Sequence, residues 1–117
     1  MPRCNMRPDD SVRLGHMRET AEEICGFIAN AKREDLDSNR MLLHSLVRCI
    51  EIIGEAAATV SKETREALPQ LPWADMVGMR NRLIHAYFDI NKSIVWSTVT
   101  QHIPGLLKEL QKIPEIR

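Results

Sequence analysis

Arg80, His85 and Tyr87 bring a permanent cation, a titratable imidazole and a phenol into one short segment, Arg80-Asn81-Arg82-Leu83-Ile84-His85-Ala86-Tyr87. The guanidinium is a planar fork of donors matched to phosphate oxygens, and the imidazole gives and takes protons near neutrality. Together they suit chemistry on a phosphodiester, and the tyrosine adds a hydroxyl that can stack, donate or be modified. His85 lies five positions after Arg80, so on one straight helix the two would point about 140° apart. Convergence requires the helix to bend or end near His85, or a second copy of the chain to complete the site. Asn81 and His85, an i,i+4 pair, would share a face. A plainer reading stands beside this one: an arginine and a histidine near a helix C-terminus complement its dipole, and Tyr87 and Phe88 could be core.

The elements that must position these residues read as helices. Apolar positions from Val12 to Ile28 recur at helical spacing, predicting a first amphipathic helix over 11–31 with Asp10 or Ser11 as its cap. Residues 32–39 are charged and carry turn chemistry at Asp37-Ser38-Asn39. The run 40–60 has a broad apolar stripe that implies burial against more than one partner, and Gly54 with the alanines at 56–58 would let another helix approach closely. Ser61 can open a short helix that the prolines at 69 and 72 stop. A third major helix is expected over 73–85 and a fourth from 92 or 93 to 110, capped by Asn91 or Ser93. Pro104 should kink or interrupt the fourth. No period-2 alternation persists, so the expected fold is all-α: a four- to five-helix bundle in one domain spanning 1–117, with 1–10 and 114–117 as flexible ends.

Composition narrows the function. The chain is 44% hydrophobic and 27% charged, with formal net charge zero, which gives no long-range attraction for nucleic acid; any such contact must be local. Cys4, Cys25 and Cys49 are odd in number and lack C-x-x-C spacing, so a disulfide framework is not expected and a reducing cytoplasm fits. Residues 1–10 hold no apolar core of the kind a signal peptide needs, and no segment has the roughly 18 uninterrupted apolar residues of a membrane span.

Other candidates are weaker. Glu51 and Glu55 form an i,i+4 carboxylate pair with Arg48 one turn earlier, but none of His16, His44, His85 or His102 has a glutamate three residues upstream, as bundle di-metal sites require. Intrahelical charge pairing explains Arg48, Glu51 and Glu55, with support of Arg80 from a neighbouring helix as a second role. Arg82 and Lys92 flank the motif and could supplement a phosphate site or simply face solvent. His16, His44 and His102 read as surface residues, and Cys25, Cys49, Met76 and Met79 as core. Neither metal nor cofactor is expected.

The segment Arg80 to Tyr87 resembles the Arg-x4-His-x-Tyr motif of the HepT-like branch of HEPN proteins. Arg48-Cys49-Ile50-Glu51-Ile52-Ile53-Gly54-Glu55-Ala56 is similar to that branch's second-helix signature, Leu71-Pro72-Trp73 to its entry into the motif helix, and Tyr87-Phe88-Asp89-Ile90 with Val95-Trp96 to its exit. The likeness covers about 40–110. It implies a bundle of HEPN type with the motif near the C-terminal end of the third major helix, and a metal-independent endoribonuclease toxin acting as a homodimer on RNA. Arg80, His85 and Asn81 would be catalytic. The branch is associated with MntA, a nucleotidyltransferase antitoxin that AMPylates the motif tyrosine, which here is Tyr87. A non-catalytic helical partner or substrate-binding module of such a nucleotidyltransferase is the alternative.

Overall fold

In a computed structural model the described residues are 6–86, 89–114 and 116, with backbone alone at 80, 83–86 and 89. Helix α1, Pro8–Ile28, starts earlier than the apolar pattern suggests. Pro8 presets the backbone of the first turn, and Asp9 and Asp10 complement the positive end of the helix dipole. Positions 8–10, expected to belong to a flexible end, are therefore helical. Asp10 is not the cap of its own helix. At the other end Ile116 is buried in the core rather than loose.

Asp10 instead joins α1 to the start of a distant helix. Only 2% of the residue is exposed, and its carboxylate accepts hydrogen bonds from the Ser61 amide at 3.0 Å, the Ser61 hydroxyl at 2.5 Å and the Thr64 hydroxyl at 2.7 Å. Burial alone would raise its pKa, but the Ser61 and Thr64 hydroxyls, the Ser61 amide and nearby Arg13 outweigh that and hold it below the ordinary value.

A helical turn, α2, Asp35–Ser38, interrupts the charged connection and buries Leu36. Helix α3, Arg40–Thr59, is capped by the last residue of the expected turn: the Asn39 side chain accepts from the Leu42 amide at 3.1 Å. Its stripe of Leu43, Leu46, Val47, Ile50, Ile53 and Ala57 is buried and packs against both α1 and α5. Helix α4, Lys62–Ala67, is capped by Ser61. Helix α5, Trp73–Leu83, buries Met76 and Met79. Gly54 is where α3 and α5 meet, since a Cβ there would stand 3.0 Å from the Met76 carbonyl oxygen.

Helix α5 stops at Leu83, short of His85. The backbone turns into strand β1, Ile84–Ala86, which pairs antiparallel with β2, Asp89–Ile90, through an irregular register. Helix α6, Lys92–Ser97, follows, with the Asn91 side chain accepting from the Ile94 amide at 3.1 Å. A π-helical turn, Thr98–His102, leads into α7, Ile103–Gln111. Proline at 104 has no N–H to donate and would crowd the carbonyl four residues back, so the ladder widens just before it. The interruption takes the form of a π turn rather than a sharp break. Val95 of α6 is buried on the side of α5 and α3, and Val99, Ile103, Leu106 and Leu110 complete the core against α1. The architecture is an all-α bundle of four long helical runs, with the short pair of strands, three and two residues long, as a small addition at the end of α5.

Candidate active site

The motif straddles the junction between α5 and the strand pair. Arg80, Asn81 and Arg82 occupy the last turn of α5, while His85 lies at the centre of β1. The side chains of Arg80 and His85 and the whole of Tyr87 and Phe88 lie outside the described residues. Because the helix ends at Leu83, the shared helical face expected for Asn81 and His85 does not exist. The 140° separation expected for Arg80 and His85 likewise does not apply, since the two backbones belong to different elements. Residues 84–86 leave the helix because the backbone hydrogen bonds there are made across the hairpin.

Around this junction Asn81 and Arg82 are exposed. The Arg82 guanidinium reaches back two turns and donates to the Asp75 carbonyl at 3.4 Å. Lys92, the other flanking cation, bonds the Asp37 carboxylate at 3.3 Å, and that contact with Lys92 is the main reason the Asp37 pKa is lowered. It ties the start of α6 to α2. On α3, Arg48 pairs with Glu55 at 3.3 Å across two turns. The side chains are 61% and 56% exposed, so the pair contributes little to stability. Glu51 is half-buried on the same helix. The intrahelical pairing expected for Arg48 is thus found with Glu55.

His16, His44 and His102 are exposed, as expected. Cys25 is half-buried and Cys49 buried, and burial raises the pKa of both thiols, which disfavours the nucleophilic thiolate. Among the described residues no three histidine, cysteine, aspartate or glutamate side chains converge, and no helix is long and apolar enough to cross a membrane.

Sequence reasoning passed over one feature. Lys62, Arg65 and Glu66 of α4 face Trp73, Ala74 and Val77 of α5 across an open depression of about 700 Å³. The Trp73 indole N–H donates to the Leu68 carbonyl at 2.9 Å, which fixes the ring at the edge of this hollow. The signal was present as two cations one turn apart, followed by a tryptophan, but only the packing of α4 beside α5 brings them together.

Residues 17–113 match the family described as Ribonuclease HepT-like. The chain belongs to this family. A Methanocaldococcus jannaschii protein named "Putative RNase MJ1216" is 38% identical over 95 residues, covering 81% of this chain and 78% of that one. A Caldanaerobacter subterraneus subsp. tengcongensis protein named "Putative RNase TTE0752" is 37% identical over 100 residues, 86% and 89% of the two chains. "Probable ribonuclease HepT" of Thermococcus cleftensis is 33% identical over 100 residues, 86% and 91%. No solved structure matches significantly. Among HepT-like proteins the helical bundle described above is the expected architecture, and the family match spans every element from the middle of α1 to the end of α7.

Proposed function

We propose that this HepT-like chain is a metal-independent endoribonuclease toxin, active as a homodimer and silenced by AMPylation of Tyr87. Membership of the Ribonuclease HepT-like family is the observation that carries the reading. The end of α5 at Leu83 supports it, because it removes the fixed divergence that one continuous helix would impose between Arg80 and His85.

In the proposed reaction the RNA's own 2′-hydroxyl attacks the adjacent phosphorus and the 5′-oxygen leaves, giving a 2′,3′-cyclic phosphate and a free 5′-hydroxyl. His85 moves protons as general base or acid, and Arg80 neutralises the charge that builds on the phosphoryl oxygens. Asn81, exposed beside Arg80, orients the phosphate or the imidazole. A second copy brings its own motif to the same cleft. AMP on Tyr87, transferred by a MntA-like nucleotidyltransferase antitoxin, would add bulk and negative charge where RNA phosphate must sit.

Purified protein is expected to cleave RNA in the presence of EDTA and leave cyclic-phosphate ends, with His85→Ala slower by about 10²–10⁴-fold. It should elute with a mass twice the 13.4 kDa of one chain. Loss of activity in EDTA would overturn the metal-independent mechanism, a His85→Ala variant as active and as toxic as the parent would remove His85 from the chemistry, and a parent protein that cleaves no RNA would return the chain to the class of non-catalytic helical partners. Incubation with the nucleotidyltransferase and ATP should add AMP to the intact mass of the parent and not to that of Tyr87→Phe. Addition to both would move the regulatory residue elsewhere.

A further inference from the structure

We propose that the depression between α4 and α5 is a nucleotide subsite, in which the Trp73 ring stacks a base of single-stranded RNA and Arg65 with Lys62 holds its phosphate. This rests on the ribonuclease reading for the identity of the ligand. It extends that reading to residues outside the motif.

The walls supply both halves of what an unpaired nucleotide requires. Single-stranded nucleic acid is bound by aromatic faces that take the base and cations that track the backbone. Trp73 is half-buried, packed against the core on one side and lining the hollow on the other, with its ring orientation pinned by the bond to Leu68. Such a ring is a pre-organised platform. Val77, exposed one turn further along α5, extends the apolar wall. The volume of about 700 Å³ falls within the range of small-molecule sites.

The cations are available. Arg65 lines the hollow, and its planar guanidinium is a fork of donors matched to phosphate oxygens. The Lys62 side chain is 82% exposed and, among the described residues, pairs with Glu66 at 3.8 Å, an exposed contact weak enough for a phosphate to displace. Two cations against the single carboxylate of Glu66 leave the rim positive, although the whole chain is neutral.

Position along α5 links the hollow to the motif. At about 100° per residue, positions 73, 77 and 80 fall on one stripe of the helix, within about 60° of one another. At about 1.5 Å per residue, position 80 lies roughly 10 Å along the axis from Trp73. That is a span for roughly one or two nucleotides of extended backbone, so a strand engaged at Arg80 can continue into the hollow.

The test uses full-length protein carrying Trp96→Phe, which leaves Trp73 as the sole indole, and His85→Ala, which prevents cleavage during titration. Short single-stranded oligoadenylate is expected to quench Trp73 fluorescence saturably. Lys62→Gln with Arg65→Gln should weaken that binding about tenfold and reduce the slope of log affinity against log salt by about 0.7 per cation. The melting temperature should not fall, and Glu66→Gln should tighten binding. In the cleaving protein the same double substitution should raise KM with kcat preserved. Lys108→Gln on α7 with Lys112→Gln just past its end provides equal charge loss at a distance. The subsite is overturned if RNA binds and is cleaved while Trp73 emission and the salt slope stay unmoved, or if the α7 pair weakens binding as much as the α4 pair. In that case the ribonuclease reading survives. Quenching that depends on Arg65 and Lys62, from a parent protein that cleaves no RNA, supports the subsite and sinks the ribonuclease reading. Neither quenching nor cleavage removes both.

Discussion

The Asp10 carboxylate shows how much one buried charge can organise. It satisfies the Ser61 amide and two hydroxyls on a helix more than fifty positions away in sequence, and bonds to a charged acceptor are among the stronger ones. Asp10→Ala would leave those donors unpaired and is expected to cost about 2–4 kcal/mol, read from denaturant unfolding. The pH dependence has a definite sign. The folded carboxyl is more acidic than the unfolded one, so its contribution is complete above about pH 4 and fades as the pH falls through the depressed value. An Asp10→Asn protein should therefore lose less stability than the parent on acidification below pH 4. Equal acid losses in the two proteins would show that other carboxylates set the acid limit. Arg65 makes the converse case: Arg65→Met removes a buried orphan donor and should raise the melting temperature, a gain in stability traded against the proposed grip on RNA.

Among the elements, the contact of α3 with α5 is the least forgiving. Gly54→Ala would add helix propensity worth up to about 1 kcal/mol, but its methyl would sit 3.0 Å from a backbone oxygen that can move only if α5 moves. Overpacking of this kind costs about 1–3 kcal/mol, so thermal unfolding should show net destabilisation. Unchanged or greater stability would mean that α5 shifts freely. The long elements were legible in the sequence because each carries several turns of periodic apolar residues, as α3 does from Leu43 to Ala57. Ser61 and Asn91 announced helix starts through local chemistry alone, Asn39 marked a turn, and Gly54 announced close packing. What lay hidden was short or non-local. Strands of two and three residues, β2 and β1, are too brief to show a period, so the motif helix was expected to run on to His85. Asp10 looked like a local cap because its partners come from a helix far along the chain. The residues of the candidate site were legible by type, while their division between a helix and a strand depended on backbone pairing that no spacing rule conveys.

The whole molecule measures 49 × 29 × 19 Å, a slab whose thin axis holds about two helix diameters. With zero formal charge it lacks a field to gather RNA from a distance. The salt dependence of RNA affinity is therefore expected to be shallow, matching two or three phosphates rather than the many of a basic protein. A steep slope would reveal a larger footprint than the motif and the hollow. If a second copy completes each cleft by crossing the motif residues, mixing Arg80→Gln with His85→Ala chains should restore measurable cleavage, because some mixed pairs hold one intact site. A mixture as inactive as its components would assign both residues of a working site to the same protomer. The π turn at Thr98–His102 bears on how such chains diverge. A ring closed five residues back holds one residue more than the α turn it replaces. Where a related chain lacks a proline at the position of Pro104, its alignment here should carry a one-residue gap, the trace of an insertion that the helix absorbed without losing the core on either side.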